Sequence, residues 1–218
     1  MHRYLISNDF FVFCSLASIL ILTLIKFINK VRFLDFLKSL INSKYLRVYE
    51  KEKSIIDNFN GFLLFNFCLN SSVFVFIYYS CFYEHIKINF KIFSIVISLI
   101  ILIITSKIFL NYIIGKILNM KQIFRSLIFL QINRLNYIGV LLLPLNLTII
   151  FGLNYNPQAV VFTLLISVLL YITGLFKFVQ LNLNLLLSNF FYFILYICTL
   201  EIGLLIIIYD QLVERNYL

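Results

Sequence analysis

Between Arg134 and Lys177 the chain runs for 42 residues without a formal charge. A helix crossing the ~30 Å hydrocarbon layer of a bilayer takes about 20 mostly apolar residues, whereas a buried helix of a soluble protein rarely exceeds about 14. Forty-two is too many for one crossing. The polar break Asn154-Tyr155-Asn156-Pro157-Gln158 divides the run into two helices joined by a tight turn, because Asn and Pro supply the backbone angles of a reversal. The same ruler finds 16 uncharged residues between Asp9 and Lys26, 26 between Asp57 and Glu84, and 15 between Lys91 and Lys107, the last continued by apolar residues to Gly115. A further 23 separate Lys177 from Glu201, and apolar character resumes through Tyr209. None of these stretches alternates at period two, so a membrane barrel is excluded.

With 62% hydrophobic and 12% charged residues and a mean hydropathy of +1.01, an ordinary soluble globule is excluded as well. The expectation is an all-α membrane protein, a single integral membrane domain over residues 1–218 with six transmembrane helices at 10–28, 59–82, 92–114, 135–153, 159–176 and 190–209. The first is read as a retained anchor rather than a cleaved leader, since no small-residue cleavage pattern follows it and the positive charge is concentrated after it.

Orientation follows from Lys and Arg. Six spans put Lys26, Lys30, Arg32, Lys38, Lys44, Arg47, Lys51, Lys53, Lys107, Lys116, Lys121, Arg125, Arg134 and Lys177 on one side, and Arg3, Lys87, Lys91 and Arg215 on the other. Cytoplasmic connections carry the excess of basic residues, so both termini are expected on the non-cytoplasmic side of the membrane. Topology and anionic lipid at the cytoplasmic face account for the net charge of +9, and no motif points to nucleic acid.

Two connections read as amphipathic interfacial helices. Val31, Phe33, Leu34, Phe36, Leu37, Leu40 and Ile41 recur at helical spacing among basic residues, and Ile113 to Ile128 carries Lys116, Lys121 and Arg125. Both satisfy topology. Lys38, Lys44 and Arg47 could in addition form a docking surface for a partner subunit or anionic lipid.

Catalytic signatures for phosphate-binding loops, zinc proteases, serine hydrolases and dinucleotide binding are absent, and no cofactor is implied. His2 and His85 both fall outside the spans, and Cys14, Cys68, Cys81 and Cys198 stand far apart inside apolar runs, as packing residues do. What remains is polarity at membrane depth. Glu201 lies inside the last span, where a charged carboxylate costs about 2.5 to 3.5 kcal/mol and must face protein or water. Helical rise places Asn146, Asn70 and Ser167 in the same layer, with Asn66 on the face of Asn70 and with Pro144 freeing a carbonyl near Asn146. The expectation is a midplane cluster in which neutral Glu201 donates to Asn146 or Asn70, while Lys107 snorkels to the surface. Such a cluster serves either as interhelical glue or as a proton or substrate site.

The run from Phe190 to Ile202, with Cys198-Thr199-Leu200-Glu201-Ile202 at its end, resembles the C-terminal signature of a domain-of-unknown-function family of multi-pass inner-membrane proteins of the Bacteroidota. Asn136, Gly139 and Leu143-Pro144-Leu145 add to the likeness, while Gly203-Leu204 stands where members commonly place a proline. The resemblance implies a bacterial envelope setting, directs attention to Cys198, Thr199 and Glu201, and supplies no reaction. Three functional classes follow. A non-enzymatic scaffold or assembly subunit of an envelope complex comes first; a small transporter or proton-coupled carrier using Glu201 second; and an intramembrane enzyme acting on lipid-linked substrates third.

Overall fold

The computed structural model describes residues 8–40, 57–82 and 90–188, all of them helix or short connection. The sixth expected span, at 190–209, lies outside the described residues. The chain divides into two compact units, Met1–Phe176 and Lys177–Leu218. Six α-helices run α1 (Asn8–Ile28), α2 (Lys30–Leu37), α3 (Asn58–Phe82), α4 (Phe90–Ile117), α5 (Lys121–Leu147) and α6 (Pro157–Ser188). A single 3-10 turn, Lys38–Leu40, extends α2, and a π-turn, Thr148–Gly152, extends α5. Among the described residues, five stretches are long and apolar enough to cross a membrane: Phe10–Ile28, Asn58–Phe82, Phe90–Ile117, Lys121–Gly152 and Pro157–Gln180.

Hydroxyls on the outer surface behave as hydrocarbon demands. Thr23, Ser94, Ser98, Thr105 and Thr173 are exposed, and each donates to a carbonyl three or four residues earlier in its own helix. Such back-bonding satisfies a donor where no water is present.

Within the first unit, α5 is the central helix and packs mainly on α3. Gly139 makes this possible: a Cβ there would stand 2.6 Å from the Phe67 Cα, so only glycine lets the two backbones approach this closely. Helix α1 packs on α3, and α4 on α5 and α3. At one end the starts of α1, α4 and α6 meet the far ends of α3 and α5 around Phe11, Phe76, Ile77, Phe93, Ile149 and Val160. The spans therefore alternate in direction.

At the opposite end, Phe36 of α2 is fully buried against Phe59 of α3 and Tyr137 of α5. Arg32 Nη2 donates to Asp57 Oδ2 at 2.9 Å and lies over the Phe59 ring. The apolar set expected on one face of this helix is thereby divided. Phe33 and Phe36 face protein, while Val31, Leu34 and Leu37 are exposed.

Two boundaries differ from the charge-based ruler. The stretch 113–128 is no separate helix; it is the end of α4, a turn, and the start of α5. Asn119 adopts a left-handed φ of 56°, and the amides of Asn119 and Met120 bond back to the carbonyls of Lys116 and Gly115, a helix end that asparagine tolerates. Helix α5 accordingly begins at Lys121 rather than near residue 135. Its three basic residues hid this start, because a ruler that stops at each charge treats Arg134 as a boundary.

The turn at Asn154–Pro157 forms where the polar break stands. Asn154 and Tyr155 take φ of 47° and 60°. The Asn156 side-chain oxygen accepts the Gln158 amide at 3.0 Å, so Asn156 caps α6 and Pro157 fills its first position. Burial pushes the Tyr155 phenol above its ordinary value, and the Tyr155 carbonyl accepts the Cys81 thiol at 3.0 Å.

Candidate functional site

Two polar layers cross the interior of the first unit. The first joins three helices, with Ser18 at the midpoint of α1, Asn70 at the midpoint of α3 and Asn146 near the end of α5. Ser18 Oγ donates to Asn66 Oδ1, and Asn70 Nδ2 donates to Ser18 Oγ at 2.8 Å. Asn146 Nδ2 of α5 donates to the Asn70 carbonyl at 2.9 Å. All four residues are buried. A buried amide without partners costs about 1 to 3 kcal/mol, so the alignment of these three helices is specified by the pairing. Asn66 Nδ2 and Asn146 Oδ1 have no hydrogen-bond partner.

The sequence-derived candidates are thus distributed as follows. Asn70 and Asn146 come together, with Asn66 four residues from Asn70 as spacing requires. Ser167 donates to the Thr163 carbonyl of its own helix at 2.9 Å. Glu201, Cys198 and Thr199 lie outside the described residues, as do Lys44 and Arg47. Lys38 is exposed at the end of α2. Ser18 escaped the sequence reading, since a single serine among Leu and Ile carries no periodic signal.

The second layer sits on α5 nearer the basic end. Gln131 accepts from Asn111 of α4 at 2.9 Å, and Asn133 donates to Ser39 at 3.3 Å. Asn136 is fully buried, with neither polar side-chain atom bonded. Among the described residues, Arg134 is the largest fully buried side chain, with 1% exposure, and its Nε, Nη1 and Nη2 have no hydrogen-bond partner there. Sequence reasoning counted Arg134 as a boundary charge. The signal that could have found it is the surrounding pattern, since apolar residues occupy every face of the helix from Ile123 to Ile138 and leave no solvent side for a cation. Lys107 of α4 is half-buried and donates to the Tyr171 hydroxyl of α6 at 2.7 Å.

Cys14 and Cys68 are buried free thiols. Among the described residues, no group of three His, Cys, Asp or Glu side chains gathers as a metal site.

Apolar spanning helices around an amide-lined interior define the class of the chain, an all-helical multi-pass membrane protein. A family model described as a domain of unknown function, DUF4271, matches residues 11–212, and the chain belongs to that family. Among curated proteins and solved structures, nothing matches it.

Proposed function

We propose that the chain is a non-enzymatic scaffold or assembly subunit of a bacterial cell-envelope complex, held in the inner membrane with both termini on the non-cytoplasmic side. The observation that carries this reading is the chemistry of the layer around Asn70. Ser18, Asn66, Asn70 and Asn146 join α1, α3 and α5 through amides and a hydroxyl, none of which titrates or carries a nucleophile fit for turnover. Contacts of this kind hold helices together. The outer helices supply the complementary observation: Leu102, Ile103 and Phe109 on α4 and Phe162, Leu169 and Phe176 on α6 are all more than half exposed, a surface suited to lipid and to helices of a partner subunit.

In this reading α2 lies in the headgroup layer. Its Phe33 and Phe36 dock onto the bundle, Val31, Leu34 and Leu37 meet hydrocarbon, and Lys38, Lys44 and Arg47 meet anionic lipid or the partner. Affinity purification from the native membrane tests the assignment. A stoichiometric partner is expected. An isolated monomer or dimer with an aqueous cavity reaching Glu201 contradicts it and favours a proton-coupled carrier.

A further inference from the structure

Arg134 is a side chain for which a scaffold has no evident use. Its guanidinium is enclosed at 1% exposure, with Nε, Nη1 and Nη2 all without a hydrogen-bond partner among the described residues. A guanidinium does not deprotonate in proteins, and its five N–H donors call for oxygen acceptors. Buried charges persist when an opposite charge meets them. Asp57, an acid within the described residues, is taken by Arg32.

The surroundings are shaped for this side chain. A Cβ on Gly174 would stand 2.5 Å from the Arg134 Cγ and 3.3 Å from its Nε, so glycine alone lets the arginine stem lie against the backbone of α6. Three residues before Gly174, on the same helical face, Tyr171 receives the Lys107 ammonium. Two cations from two helices thus converge on one stretch of α6. Their depth agrees. At 1.5 Å per residue, Arg134 is about 27 Å from Gly152, Gly174 about 26 Å from Pro157, and Lys107 about 26 Å from Phe90. Across a ~30 Å hydrocarbon layer, that level adjoins the phosphates of the leaflet at the basic end.

We propose that Arg134 is the anion-binding group of a phosphate site between α5 and α6, with Lys107 contributing positive charge at the same level. The guanidinium fork offers two parallel N–H groups to two oxygens of one phosphate. An anionic phospholipid headgroup reaches this depth laterally without leaving the membrane; a soluble phosphate is the other source of the same chemistry. The site differs from the exposed basic residues around Lys38, because its guanidinium is buried among the helices. It goes beyond the scaffold assignment and does not depend on it.

The test uses the full chain purified in neutral detergent, with unfolding followed by a thiol-reactive dye that reports exposure of the buried cysteines. Short-chain phosphatidylglycerol and, separately, inorganic phosphate are titrated against the wild type, Arg134→Gln and Arg134→Lys. Phosphatidylglycerol is expected to raise the wild-type midpoint saturably. Arg134→Lys should bind about tenfold more weakly, and Arg134→Gln should lose the response. Without additive, Arg134→Gln should be no less stable than the wild type, because it removes an unmatched charge. An equal response to inorganic phosphate assigns the site to a soluble ligand, still held by Arg134. An Arg134→Gln variant that responds like the wild type overturns the proposal. So does one destabilised equally with and without phosphate, the result a carboxylate of this chain as partner would give. Should Arg134→Gln fail to fold, Gly174→Ala displaces the arginine stem instead, and an unchanged phosphatidylglycerol response in that variant overturns the proposal equally.

Discussion

Gly139 sets a close approach between α3 and α5, and its neighbour across the interface is backbone rather than a movable side-chain tip. Gly139→Ala should therefore destabilise the chain by about 1 to 3 kcal/mol, measured by unfolding in detergent, because α3 and α5 must separate to admit one methyl group. The amide layer gives a second test. Ser18 both donates to Asn66 and accepts from Asn70, so a Ser18→Ala and Asn66→Ala double-mutant cycle should show coupling of about 0.6 to 1.7 kcal/mol, the range of hydrogen bonds between membrane helices. Coupling indistinguishable from zero would mean that this layer does not specify the packing. Residues of this kind were only half legible in the sequence. Asn66 and Asn70 announce themselves as amides at helical spacing inside an apolar run. Ser18 does not, because a single serine among Leu and Ile carries no periodic signal.

Elements were legible where chemistry and charge agree. Asn154 to Pro157 combine residues that tolerate left-handed backbone with a capping side chain and a proline, and the reversal forms there. The turn after α4 was obscured, because Lys116, Lys121 and Arg125 imitate the basic face of an interfacial helix while Asn119 alone breaks the chain direction. Both turns can be tested by substitution. Asn156→Ala should cost about 1 kcal/mol through loss of the cap, and Asn119→Gly should be neutral or stabilising while Asn119→Val costs about 1 to 2 kcal/mol, all read from unfolding midpoints. If Asn119→Val equals the wild type, the left-handed residue does not set the junction between α4 and α5.

At the scale of the whole molecule, charge-free length proved the reliable signal, because hydrocarbon excludes ions from any lipid-facing surface whatever else the sequence encodes. Its weakness is the enclosed ion: a ruler that stops at each charge reads Arg134 as an exposed end of a span, whereas its side chain is surrounded by protein. The scaffold assignment adds an expectation of its own. Glu201→Gln should leave recovery of a partner complex from the membrane unchanged, whereas a proton-coupled carrier would lose its activity with that titratable group. The proposed orientation rests on the five described spans alternating in direction, with their basic end expected to face the cytoplasm. The most direct measurement labels single cysteines in intact and permeabilised cells, in a chain freed of its native cysteines, with a membrane-impermeant maleimide. Gln158→Cys, exposed beyond the α5–α6 turn, should react from outside in intact cells, and Gln122→Cys, exposed at the start of α5, only after permeabilisation. Labelling of both positions from the same side contradicts the account.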